Sequence, residues 1–221
     1  MRMRKKKHGA ERIEACRALL ISETDRLKDD VQYAFEIKRP LHLEIGCGKG
    51  SFACGMAAQH KDVNFIAMEK VSDVACLALE KAQKCAQERS DNLRFIIGDA
   101  KNLAEWFPKS SIERIYLNFS DPWPKSGHAK RRLTYHTFLS LYRELLVEEG
   151  TLCMKTDNEG LFEFSLEEFE NFGLTFDWVT RDLHGSEYNE GNVRTEYENH
   201  FSEKGQPIYA VLVRFPKKEE V

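Results

Sequence analysis

A chain of 221 residues with 42% hydrophobic and 31% charged side chains carries enough apolar material for one sizeable core and too much for a largely disordered protein. Its formal charge of −3 excludes a globally basic polyanion binder, so any nucleic-acid contact must come from local clusters. No long apolar run marks a membrane span, and the charged start lacks the apolar segment of a secretory signal. Cysteines at 16, 47, 54, 76, 85 and 153 form no ligand quartet, so reduced packing thiols, no metal and a cytoplasmic location are expected.

Met1 to His8 holds Arg2, Arg4, Lys5, Lys6 and Lys7 with no acid, a formal +5 that either tracks phosphates or only keeps the terminus solvated. A helical or partly mobile extension through Ile37 ends at Lys38-Arg39-Pro40, which divides the chain into a 1–37 extension and a 38–221 main domain without a linker. Leu41-His42-Leu43-Glu44-Ile45 reads as a strand running into Gly46-Cys47-Gly48-Lys49-Gly50 and a helix over Ser51–Gln59. Glycines allow left-handed backbone and close ligand approach, and a helix N-terminus offers unpaired N–H groups. A dinucleotide pyrophosphate is one use of such a turn, but Glu44 just before it suits a cationic or amine-bearing ligand better. Asn64 to Glu69 is a second strand, ending in an acid able to accept both ribose hydroxyls.

A helix is expected over Val71–Glu88, a third strand before Asp99, a short helix over Lys101–Trp106 and a fourth strand over Ile112–Leu117. Glu44, Glu69, Asp99 and Asp121 thus lie at the carboxyl ends of four strands. In parallel sheets ligands collect outside the carboxyl ends of strands, so their shared placement suggests an adenosyl-ligand cleft, although each alone fits an ordinary cap. From Asn118 to Arg132 an apolar strand end meets Asp121, a turn fixed by Pro122 and Pro124, and the basic side chains Lys125, Lys130, Arg131 and Arg132. This is either a solvated loop or a reactive crevice facing a polyanion.

Apolar spacing predicts an amphipathic helix over Leu133–Leu146, then a strand at Thr151–Met154 ending in Lys155-Thr156-Asp157. A helix over Leu161–Phe172, a strand at Leu174–Val179 and a last strand at Ile208–Phe215 follow, with an antiparallel addition to a mostly parallel sheet as the expected outcome. The 181–206 excursion between those strands is charged and glycine-bearing, the pattern of a surface loop.

The Leu43-to-Gly50 turn resembles the first motif of class I methyltransferases that use S-adenosylmethionine. Phe119-Ser120-Asp121-Pro122-Trp123-Pro124-Lys125, His128-Ala129-Lys130-Arg131-Arg132, Thr156-Asp157 and Thr195-Glu196-Tyr197-Glu198 resemble the bacterial tRNA (guanine-N7-)-methyltransferase family, over roughly Leu41 to Phe215. The resemblance implies a Rossmann-like α/β fold with a mostly parallel seven-stranded sheet, a late antiparallel strand and helices on both faces. It also implies methyl transfer from S-adenosylmethionine to guanine N7 of tRNA, at position 46 of the variable loop. Gly46, Gly48, Gly50, Glu44, Glu69, Asp99 and Asp121 would serve the cofactor, with Asp121 also the catalytic residue. Lys125, Lys130, Arg131, Arg132, Asp157, Thr195, Glu196, Tyr197 and Glu198 would serve the tRNA, with the 181–206 excursion helping to close the substrate side of the cleft.

Bland readings stand beside these: Asp121 as a turn stabiliser, Tyr197 as a core residue, Glu198 as a solubilising charge. A nonenzymatic tRNA-binding protein explains the basic cluster but leaves the strand-end acids without a purpose, and a small-molecule methyltransferase is the other alternative. Amphipathic helices can pack on their own domain or on a second copy, so a homodimer stays open. If formed, it is expected to extend the RNA surface rather than complete the methyl-transfer centre.

Overall fold

The computed structural model describes residues 7–85 and 91–217, and the chain forms two compact units, 1–108 and 109–221. Arg2, Arg4, Lys5 and Lys6 of the basic start lie outside the described residues, as does the end of the helix expected to reach Glu88.

The first unit is built on three parallel strands, β1 (Leu41–Ile45), β2 (Asn64–Glu69) and β3 (Leu93–Ile97), with β2 pairing both others. Strands buried on both faces need continuous apolar side chains, and Leu43, Ile66, Ala67, Met68, Phe95 and Ile96 are all at most 1% exposed. Helix α1 (Gly9–Glu14) is tied to α3 (Ser72–Cys85) by a two-pronged Arg12–Glu80 ion pair with both contacts at 2.7 Å. Ile21 N–H donates to Phe95 O at 2.9 Å beside a Leu20–Phe95 bridge, so the N-terminal segment lies along the β3 edge. Helix α2 (Ser51–Gln59) matches its expected bounds, and Asn92 collects the carbonyls of Ala57, His60 and Val63 at its end. The short α4 (Leu103–Trp106) follows a 3-10 turn capped by Asp99.

The second unit holds β4 (Ile112–Asn118), β5 (Leu146–Thr156), β6 (Thr175–Thr180) and β7 (Tyr209–Arg214) in the order β4-β5-β7-β6. β4 and β5 are parallel, whereas β7 runs antiparallel to both β5 and β6. This is the late antiparallel strand of the expected fold. Helices α5 (His136–Leu145), α6 (Glu159–Asn171) and α7 (Glu196–Ser202) complete the unit.

Both ends of α5 differ from the sequence reading. The helix expected from Leu133 begins at His136, because Tyr135 is extended and the preceding residues form a 3-10 turn over 126–131. Leu146 leaves the helix with ψ 144 and starts β5, where it pairs with Ile112. Within α5 the Tyr142 hydroxyl is buried with no hydrogen-bond partner among the described residues, and burial pushes its pKa up. The 181–206 excursion is more structured than a surface loop: Leu183 and Ile208 are buried, and Phe119, Trp178, Tyr188 and Phe201 pack around them. No described helix is long and apolar enough to cross a membrane.

Candidate active site

In the first unit the chain leaves β1 through a turn in which Gly46, Gly48 and Gly50 have φ of 81°, 56° and 79°. Residues with a Cβ rarely hold these values, which accounts for the alternate glycines. Gly46 and Cys47 N–H both donate to Met68 O, at 2.8 and 2.9 Å, fastening the turn to β2. A Cβ built on Gly46 or Gly48 would meet nothing within 4 Å, so the turn's backbone lies open to a ligand. Gly50 differs: a Cβ there would come within 2.9 Å of Ala78, so its role is close packing of the turn on α3.

Glu69, at the end of β2, holds the same turn. Its Oε2 accepts from Gly48 N–H at 3.0 Å and its Oε1 from Val71 N–H at 2.9 Å. Each oxygen keeps a second lone pair, suitable for a pair of ribose hydroxyls. Glu44 is 4% exposed. Burial first, then the charges of Glu44 and Glu69, push the Cys47 thiol well above its usual range, away from the thiolate form that a reactive cysteine needs. Asp99 caps its 3-10 turn through Lys101 N–H at 3.1 Å and meets Lys70 Nζ at 2.7 Å. The Lys70 hydrogen bond is the main reason its carboxyl sits below the usual range. An open glycine turn ringed by carboxylates fits a ligand with a sugar, amines and positive charge, the chemistry of S-adenosylmethionine.

In the second unit β4 ends at Asn118 and the chain turns sharply, with non-glycine φ values of 53° at Phe119 and 42° at Trp123. Such values are costly for bulky residues and persist only where surroundings hold them. Phe119 N–H donates to Lys155 O at 2.8 Å. The Arg132 guanidinium donates to the Pro122 and Trp123 carbonyls at 3.0 and 3.1 Å and lies 4.2 Å over the Phe164 ring. Arg132, expected on the RNA backbone, is therefore engaged in shaping this loop. Arg131 lies 4.8 Å over the Trp123 ring, and Lys125 and Lys130 are exposed.

Asp121 is exposed on this turn, and Asp157 follows β5. Tyr197 joins them: burial first, then the charges of Asp157 and Asp121, raise its phenol pKa. Its ring lies 5.0 Å from Phe119 and 4.4 Å from Phe201, yet it remains 48% exposed. The core reading of Tyr197 thus gives way to an aromatic face presented beside two carboxylates. Thr195 and Glu198 instead form the capping box of α7, while Glu196 is exposed. Glu198 is fully buried: Oε1 meets His184 Nε2 and Asn192 Nδ2, each at 2.8 Å, and Oε2 meets Lys155 Nζ at 2.8 Å. A carboxylate so committed is not a solubilising surface charge.

Sequence reasoning assigned no role to Phe119, Lys155, His184 or Asn192. The Thr-x-x-Glu spacing at 195–198 was the one available signal, since it marks a helix start with Glu198 turned back onto its cap.

A protein-family profile described as "Putative methyltransferase" matches residues 38–211. The tRNA (guanine-N(7)-)-methyltransferase of Limosilactobacillus reuteri is 49% identical over 97% of this chain and 100% of its own length. Those of Exiguobacterium sibiricum and Listeria monocytogenes are 45% and 44% identical, each over 98% of this chain and all of the relative. Among solved structures, the 16S rRNA methyltransferase KamB superposes with a TM-score of 0.61 at 12% identity, over 88% of this chain and 93% of its own. A SAM-dependent methyltransferase from Aquifex aeolicus gives 0.54 at 14% identity, over 95% and 99%. At such identities these structures share the fold alone, that of the class I methyltransferases. The end-to-end relatives settle the finer grouping, and this chain belongs to the tRNA (guanine-N(7)-)-methyltransferase family.

Proposed function

We propose that this protein transfers the methyl group of S-adenosylmethionine to guanine N7 in tRNA, with position 46 of the variable loop as the target. Full-length identity to enzymes of that name supports the reading, and the observation in the structure that carries it is the half-exposed Tyr197 ring 5.0 Å from Phe119, on the turn that carries Asp121.

The cofactor supplies an electrophilic methyl on a positively charged sulfur. Guanine N7 brings its own lone pair: the N7–C bond forms as the S–C bond breaks, the electron pair stays on sulfur and the positive charge passes to the purine. No proton has to be removed from N7, so the protein's task is alignment, exclusion of water and support for the moving charge. Glu69 would receive the ribose hydroxyls, Glu44 would face the cationic end and Asp99 the adenine. Asp121 orients the reactants and favours the cation that develops on the base. Tyr197 stacks on guanine while Asp157 accepts from its N1–H and amino group. Lys125, Lys130 and Arg131 hold the RNA backbone. Residues 38–221 act as the catalytic domain, in the cytoplasm. A homodimer, where it forms, widens the RNA surface, and light scattering alongside an activity titration tests that arrangement.

The deciding experiment incubates the protein with unmodified tRNA and isotopically labelled S-adenosylmethionine, followed by mass mapping. Label on guanine N7 at position 46 is the expected result. No transfer to any tRNA under conditions where the cofactor binds would overturn the reading in favour of a nonenzymatic tRNA binder.

A further inference from the structure

The least expected side chain in the second unit is Lys155. It lies near the end of β5, paired with Ala210 of β7, and its side chain is only 4% exposed. Strand interiors are depleted of lysine, and burying an ammonium is costly unless its donors are met. Here three partners meet them: Asn192 Oδ1 at 2.9 Å, Val193 O at 3.0 Å and Glu198 Oε2 at 2.8 Å. Glu198 passes the connection to His184, whose other nitrogen meets Ser202 Oγ at 3.1 Å, and to the cap of α7 through Thr195. Polar contacts from 184 to 202 thus converge on one strand residue. The same residue's carbonyl accepts from Phe119 N–H at 2.8 Å, holding the left-handed backbone just before Asp121.

We propose that Lys155 is a positioning residue for the tRNA base, anchoring through Glu198 the helix that carries Tyr197 and through its own carbonyl the turn that carries Asp121. The proposal rests on the tRNA-methyltransferase reading above and assigns Glu198 to support rather than to base contact. Neighbouring residues on a helix point about 100° apart, so drawing Glu198 inward fixes where Tyr197 faces. The Phe119–Tyr197 ring contact at 5.0 Å is where the two anchored segments meet. Packing alone does not account for the arrangement. A buried ion pair is poor at stabilising a core compared with apolar side chains of similar volume, whereas its directional bonds specify position.

Lys155→Met keeps length and apolar bulk while removing all three donors. The KM for tRNA is expected to rise about 10-fold, and the single-turnover rate at saturating tRNA to fall about 10-fold, as a misplaced base would produce. S-adenosylmethionine affinity should stay unchanged, and amides 192–202 should lose protection from hydrogen exchange. Lys155→Gln, which keeps two donors, is expected to recover part of both losses. An unchanged KM and rate in Lys155→Met, or equal losses in cofactor and tRNA binding, would overturn the proposal. Should Lys155→Met fail to fold, Glu198→Gln takes its place, with the same direction of change expected and an unchanged KM overturning the idea. If the wild-type protein methylates no tRNA, the functional reading fails on its own. Hydrogen exchange at 192–202 in the variants still decides whether Lys155 anchors that segment.

Discussion

Asp121 follows a backbone the chain would not choose by itself. Phe119 and Trp123 flank it in left-handed conformations, and Arg132 and the Lys155 carbonyl hold the turn in place. Surroundings that over-determine an unfavourable conformation typically serve a site whose geometry matters. Asp121 is exposed, so removing its charge should leave the fold intact. For Asp121→Asn we expect a thermal midpoint near that of the wild type and a methyl-transfer rate lower by roughly 100-fold, the scale of losing one preorganised electrostatic group. Single-turnover assays at saturating cofactor and tRNA measure it, and a normal rate would return Asp121 to the role of a turn stabiliser.

Elements divide by how locally they are determined. The helix Ser51–Gln59 was legible to the residue because the glycine turn starts it, and Glu69 was legible as a strand-end acid. Gly50 makes that turn sensitive to a single methyl group. For Gly50→Ala the added Cβ would lie 2.9 Å from Ala78 at a φ of 79°, and a loss of about 1–3 kcal/mol in urea denaturation is expected. The start of α5 was not legible because apolar spacing alone does not show that Tyr135 is extended, and the inward Glu198 was not legible because its cause lies far along the chain. Glu198 meets a lysine 43 residues away, and charged side chains in a glycine-bearing stretch read as solvated until that partner is known. Leu146 was read as helical since apolar spacing cannot tell a last helical residue from a first strand residue.

The docking of α7 carries a pH signature. Burial pushes the Glu198 carboxyl up, but the charge and hydrogen bond of Lys155, with the bonds from His184 and Asn192, outweigh it and hold the group below the usual range. A depressed folded-state pKa gives stability that is fully present above the unfolded value of about 4.3 and is lost as pH falls through the folded value. Thermal midpoints recorded from neutral pH down through this window should fall more steeply in the wild type than in Glu198→Gln. Parallel curves would assign the acid sensitivity to other carboxylates.

At the scale of the molecule, a chain of formal charge −3 must gather tRNA with a local surface. The loop supplies it in Lys125, Lys130 and Arg131, while Arg132 is engaged in holding the turn. Replacing the first three with alanine should flatten the plot of log tRNA affinity against log salt by about 2 to 3, at roughly 0.7 to 0.9 for each phosphate that is no longer neutralised. Cofactor affinity should stay the same. A slope equal to that of the wild type would move the RNA footprint elsewhere.

The position of β7 between β5 and β6 also governs how the chain can be made. The strand at Tyr209–Arg214 is the last of the described strands and the only described hydrogen-bonded neighbour of β6. While the ribosome is still releasing it, β5 lacks its partner on that side and β6 stands alone, both with open backbone edges of the kind that invite pairing with other chains. The second unit can therefore close only after residues 209–214 have been released, whereas the three-stranded first unit can form early. Nascent chains arrested before residue 209 are expected to show a protease-resistant first unit and a protease-sensitive remainder. Such intermediates would depend on the chaperones that shield unpaired strands.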